Sequence, residues 1–100
     1  MSQNNLLAPV YAGHLNSLFH HTTKDGQAVD FELVNIETHA APPSHESFAL
    51  TFRAPSDFPP LQGVYTLEHD KMESGEIFLV PISRDQNGVL FEAVFNRLLD

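Results

Sequence analysis

The sequence predicts an all-β fold, a small antiparallel barrel or sandwich of about six strands with a short N-terminal helical turn. Three observations carry that prediction. Apolar and polar residues alternate around Val29, Phe31 and Leu33, around Phe48, Leu50 and Phe52, and from Val89 to Phe95, the period of strands buried on one face. Turn-forming Gly, Pro, Asn and Asp punctuate the chain at short intervals. No segment long enough for a crossover helix keeps a 3.6-residue period, so a βαβ unit has nowhere to place its helix.

Taken in order, residues 1–5 are polar and expected to fray within an otherwise single domain spanning residues 1–100. Leu6 to Gly13 is apolar, interrupted by Pro9, and fits a helical turn over one end of the core. Leu15 to Thr22 has the pattern of a strand, and Lys24-Asp25-Gly26 marks a tight turn. Val29, Phe31 and Leu33 face one way, whereas Val34 and Ile36 continue in the opposite phase, which predicts a β-bulge near Leu33–Val34. A loop over Thr38 to Glu46 contains Pro42-Pro43. Phe48, Leu50 and Phe52 define the next strand, ended by Pro55 and followed by a surface loop to Pro59-Pro60. Beyond Gly63, Tyr65 and Leu67 are expected to share the inward face, and Asp70 to Gly75 is expected to turn. Asn87-Gly88 is a hairpin signal, and the last strand puts Val89, Phe91, Ala93 and Phe95 on one side and Leu90, Glu92 and Val94 on the other.

Between them lies Ile77-Phe78-Leu79-Val80-Pro81-Ile82, apolar on both faces. In a strand these side chains cannot all face one core, so the second face needs a cover. The helical turn at Leu6–Gly13 is one candidate cover, and a protein interface is another, with edge pairing as one route. Pro81 further implies that one edge of this strand lacks a partner there.

Composition narrows the functional classes. The absence of Cys removes disulfides, thiolate metal sites and thiol catalysis. Thirteen Asp and Glu against five Lys and Arg leave a net charge of −8, which repels phosphate backbones and anionic lipid, so neither nucleic acid nor membrane is an expected partner. No run approaches the ~18 apolar residues of a membrane span. Met1-Ser2-Gln3-Asn4-Asn5 carries no positive charge ahead of Leu6-Leu7-Ala8, so no signal peptide is recognised. The expected location is the cytoplasm, or an assembly built there.

The second half of the chain carries a series of short motifs: Phe48-Ala49-Leu50-Thr51-Phe52-Arg53-Ala54-Pro55, then Leu61-Gln62-Gly63-Val64-Tyr65-Thr66-Leu67-Glu68-His69, then Phe78-Leu79-Val80-Pro81, then Phe91-Glu92-Ala93-Val94-Phe95-Asn96-Arg97. In this order they resemble a family of small bacterial domains of unknown function, about one hundred residues long. Phe91 stands where that family is expected to have Tyr, so a hydroxyl is absent. The resemblance implies no activity. It implies a setting, as an accessory to a bacterial or phage-tail-like assembly.

Candidate sites are few. His14, His20, His21, His39, His45 and His69 show no His-Glu-x-x-His spacing, and adjacent His20 and His21 in a strand point to opposite faces. Ser44-His45-Glu46 has three triad residue types, but consecutive residues cannot adopt relay geometry. Ser47 and Ser83 are the other serines considered beside His69, and Glu68 and Asp70 read as a solvated strand edge. Arg53 and Arg97 sit near ends of apolar strands, where pairs of Arg53 with Glu68, and of Arg97 with Glu92 or the terminal carboxylate, would fix register or bind a partner. Gln62-Gly63 marks a turn or a close backbone approach.

These readings lead to a protein-interaction or structural domain that uses no cofactor or metal, with Ile77, Phe78, Leu79, Val80 and Ile82 as candidate interface and Arg53, Arg97, Gln62 and Gly63 as structural or partner-binding residues. Self-association is included among the expected contacts, because a small unstapled domain buries limited surface alone. The alternative is an enzyme, metal-dependent or acting on a small molecule, or a ligand-binding barrel, gathering His69, Asp70 and Arg53 in a pocket.

Overall fold

A computed structural model describes residues 8–98, with the side chains of Pro9 and Glu73 left aside. The expected fraying of residues 1–5, and Leu6-Leu7 of the predicted helical turn, lie outside the described residues. A short helix, α1 (Ala8–Ala12), precedes six strands: β1 (Leu18–Thr22), β2 (Ala28–His39), β3 (His45–Ala54), β4 (Gly63–His69), β5 (Met72–Asp85) and β6 (Gly88–Leu98). They form a closed barrel in the order β1-β2-β3-β6-β5-β4, every pairing antiparallel. The all-β prediction is thereby met, in its barrel form.

The predicted alternation places the core. Phe31, Phe48, Phe52 and Phe91 are fully buried with Leu33, Leu50, Leu79 and Val89, so aromatic rings fill the centre. Each such side chain contributes about 2–3 kcal/mol of transfer free energy. Val34 is the residue skipped where the β2–β3 register steps from Leu33↔Phe52 to Asn35↔Thr51, which is the predicted bulge. It brings Ile36 opposite Leu50, against the core.

Several boundaries differ from the sequence reading. The loop expected over Thr38 to Glu46 shrinks to residues 40–44, because Thr38 and His39 pair with Phe48 and Ser47 while His45 and Glu46 pair with Leu98 and Arg97. The first strand starts at Leu18 rather than Leu15, because residues 13–16 turn and Asn16 takes a left-handed conformation (φ 71°), which Asn tolerates. That turn docks on the bulged strand: Asn16 N–H donates to Leu33 O at 2.7 Å and Leu33 N–H to Ser17 O at 3.1 Å. The turn after β4 occupies only Asp70 and Lys71, with Met72 already opposite His69. Cross-strand bonding holds Ser74 and Gly75 extended, as part of β5.

The β5–β6 hairpin also turns differently from a left-handed Asn-Gly turn. Gln86 and Asn87 occupy the turn and neither has a positive φ; Gly88, opposite Asp85, opens β6 at φ 144°. An added Cβ at Gly88 would run into the Ala54 carbonyl and the Arg53 stem lying over it. Gly63, in contrast, faces open space, so the close backbone approach expected there is absent. Pro81 sits opposite Phe91 after β4 pairing has ended at Gly63↔Leu79, where β5 has a partner on one side only.

Replacing Gly88 by Ala should therefore destabilise the fold by about 2 kcal/mol from backbone strain alone. The thermal midpoint is expected to fall by about 10 °C. Gly63→Ala, measured alongside it, should leave stability within about 0.5 kcal/mol of the parent.

Candidate functional site

Helix α1 plugs one end of the barrel. Tyr11 packs 6.1–6.3 Å from the rings of Phe19, Phe48 and Phe95, and burial raises its pKa. The helix does not lie along β5, so it is not the cover expected over Ile77–Ile82. Its first amide, Ala8 N–H, donates to Glu46 Oε2 at 2.9 Å, while Arg97 Nε donates to Glu46 Oε1 at 2.8 Å. Glu46 is the one buried charged residue among those described, and its pair with Arg97 joins β3 to β6 at Glu46↔Arg97. Arg97 thus takes Glu46 rather than Glu92, and the terminal carboxylate lies outside the described residues; sequence alone did not reveal Glu46 as its partner, because it enters β3 just after a proline loop.

Arg53 takes Glu32 at 3.5 Å on the outer surface, not Glu68, because β2 rather than β4 lies beside β3. The pair is solvent-exposed and contributes little to stability. Gln62 is exposed in the loop before Gly63.

The histidines disperse, apart from His14 and His69, whose rings adjoin. His20 points outward to Asp30 at 2.7 Å, and this hydrogen bond raises its pKa. Adjacent His21 turns the other way, among the rings of Phe31, Phe58 and Tyr65. Ser44 Oγ lies 3.1 Å from His45 Nδ1 at the surface, while Glu46 faces inward to Arg97, so no triad forms there. Ser47 is bonded to Asn96 Oδ1 at 2.7 Å. Among the described residues, no group of three or more His, Cys, Asp or Glu is placed to share a metal ion.

His39 faces Ser47 at 3.4 Å across β2 and β3, and His69 meets a serine more distant in sequence, Ser17. The Nε2–Oγ separation is 2.9 Å, within range of a nucleophile–base pair. The tautomer opposes that role. Lys71 N–H donates to His69 Nδ1 at 3.0 Å, so Nδ1 carries no proton and a neutral ring must carry it on Nε2. Nε2–H then donates to Ser17 Oγ, whose own proton goes to the His14 carbonyl. A general base needs the reverse arrangement. The His14 ring stands 4.5 Å from that of His69 and Phe19 stands 4.7 Å away. Burial first, and then the neighbouring imidazole charge, lower the His69 pKa. His69, Asp70 and Arg53 do not converge: Arg53 faces outward on β3, with β2 and β1 between it and β4.

Two surface features remain. At the barrel end opposite α1, the β1–β2 turn and the loop over 55–62 enclose a concavity of about 880 Å³, floored by His21, Phe58 and Tyr65. The other is a fork in the wall. The β5–β6 register ends at Val80↔Glu92, although β5 continues along β4 to Met72 and β6 continues along β3 to Leu98. A concavity of about 320 Å³ lies between the diverging strands. Beside it Phe78, Val64, Val94 and Ile82 are 53, 64, 58 and 51% exposed, whereas Ile77 and Leu79 point into the core.

These features define a small, acidic, cysteine-free β-barrel domain with a forked wall. The chain belongs to the family described as domain of unknown function DUF6916, whose sequence model matches residues 9–95. No curated protein and no solved structure matches the chain. Among the described residues no helix is long and apolar enough to cross a membrane.

Glu46→Ala should cost about 3 kcal/mol, since it leaves a partly buried guanidinium and the Ala8 amide without their acceptor; denaturant titration reads it, and Glu46→Gln should cost less. The His69 contribution is complete above the unfolded pKa of about 6.5 and is lost as pH falls through the lower folded value. His20 acts oppositely, stabilising below about 6.5 and losing that effect as pH rises through its raised value. Stability measured across this range should decline less on acidification in His69→Gln than in the parent.

Proposed function

We propose that the domain is a protein-interaction module that receives a partner on the outer face of β4, β5 and β6. One observation carries the reading: Phe78, Val64 and Val94 form an exposed apolar face beside strand edges that lack partners. Val64 and Phe78 are direct cross-strand neighbours, and Val80 adjoins them. Exposed apolar area of this kind costs free energy in water and is recovered when a partner covers it.

The fork supports an extended partner. Backbone groups of β5 before Val80 and of β6 after Glu92 have no strand between them, and a strand entering there gains main-chain hydrogen bonds with both affinity and register. Its charge is constrained as well. Glu76 and Glu92 line the fork, and neither makes an ion pair among the described residues. With the net charge of −8, this favours a segment alternating apolar residues with Lys or Arg. An accessory role in a bacterial or phage-tail-like assembly is the setting in which we read this face.

A photo-crosslinking residue placed at Phe78 in the source cells tests the proposal. The expected result is a discrete protein adduct, suppressed by Val94→Lys, with none from the same residue placed at Glu37 on the outer face of β2. An adduct of twice the chain mass would identify a second copy as the partner. Absence of any adduct at position 78 would overturn the assignment of this face.

A further inference from the structure

The concavity at the barrel mouth carries an inference independent of the forked wall. Its volume, about 880 Å³, lies in the range of sites that hold small molecules. Its floor is built rather than incidental. Phe58 rests edge-on against Phe31 and Phe91, with centroids 5.2 and 5.9 Å apart, and Tyr65 sits 5.7 Å from Phe91. The fully buried core thus fixes both rings. Tyr65 also donates its hydroxyl to the Leu61 carbonyl, which ties the loop to β4. The His21 ring lies 5.1 Å from Tyr65, held by Nδ1–H donating to Thr66 O at 3.1 Å. That leaves Nε2 as an acceptor in the neutral ring.

The donors and acceptors around the rim decide the charge of the occupant. The amides of Thr23 and Gln27 are spent inside the β1–β2 turn, and those of Phe58 and Leu61 inside the loop. Pro55 and Pro59 have none. What sets the charge of the rim is its side chains, of which the acidic outnumber the basic. Asp25, Asp30 and Asp57 line it against Lys24, and Asp30 is engaged by His20. An anion would meet three carboxylates against one ammonium. A donor-bearing cation finds carboxylates above an aromatic floor, the arrangement that binds ammonium groups by charge and by the ring quadrupole together.

We propose that the barrel mouth is a binding site for an organic ammonium ion on a short apolar stem, its charge over Phe58, Tyr65 and His21 and beside Asp25 or Asp57, its stem against Leu61 and Val29. The same group occurs in free alkylamines and at the end of a lysine side chain.

Titration of the full chain with n-butylammonium, followed in amide NMR spectra, tests the site. Saturable shifts in the millimolar range are expected at residues 23–30 and 55–65. 1-Butanol, the neutral counterpart, should bind about tenfold more weakly, as should butylammonium to the Asp25→Asn, Asp57→Asn double variant, whose exposed positions leave folding intact. Phe58→Leu should weaken butylammonium while leaving the amide shifts of residues 45–48 and 95–98, at the α1 end of β3 and β6, unchanged. N-acetyl-lysine methylamide binding more tightly than butylammonium assigns the site to a protein lysine, and binding more weakly assigns it to a free amine. The proposal is overturned if butanol binds as well as butylammonium, if the shifts fall outside those segments, or if none saturate.

Discussion

Closure of a six-stranded sheet is the constraint on which the rest of this molecule depends. The seam is narrow: β1 meets β4 through the single register pair His20↔Glu68, while longer ladders complete the circuit. So short a seam holds only if the interior is packed. Phe31, Phe48, Phe52 and Phe91 meet that requirement across β2, β3 and β6. Phe19 reaches from the seam strand to Phe52 at 5.4 Å and to the His69 ring, joining the weak edge to the core. The neutral, backbone-tethered state of His69 belongs to this closure, since a charged imidazole would sit directly against His14 and the phenyl ring.

A short barrel also has two ends to seal, and the chain seals them differently. One end receives α1, whose Tyr11 covers Phe48 and Phe95 and whose first amide is held by the Glu46–Arg97 pair. The other end receives only the rings of Phe58 and Tyr65, with loop and turn rising around them. The first closure is tightly packed and tied by charge. The second leaves an open bowl whose floor is the outer layer of the core.

How far the sequence foretold this follows from the range of each interaction. Alternation is local, so the strands centred on Phe31, on Leu50 with Phe48 and Phe52 to either side, and on Phe91 were legible. So was the bulge at Val34, which needs only a change of phase. The inward and outward residues of Ile77–Ile82 were legible as two faces, but not which would be buried or what the helix would do. Ion-pair partners depend on which strands lie side by side. Arg53 meets Glu32 and Arg97 meets Glu46 because the order runs β2-β3-β6, and no local pattern encodes that order. Ser17 escaped notice for the same reason: it comes to His69 across fifty-two positions of sequence. The aromatic bowl was hidden because Phe58 sits alone in a proline loop.

The fork between β5 and β6 has a consequence for the solubility of the chain. Unpaired strand edges beside exposed Phe and Val are the features through which β proteins stack on their own copies. Here Glu76 and Glu92 stand at the opening, and Pro81 interrupts the donors just beyond it. A second copy presenting the same edge brings the same carboxylates into opposition, and the two molecules repel before their backbones can bond. Paired carboxylates at an open strand edge are the kind of charge that disfavours self-templated stacking.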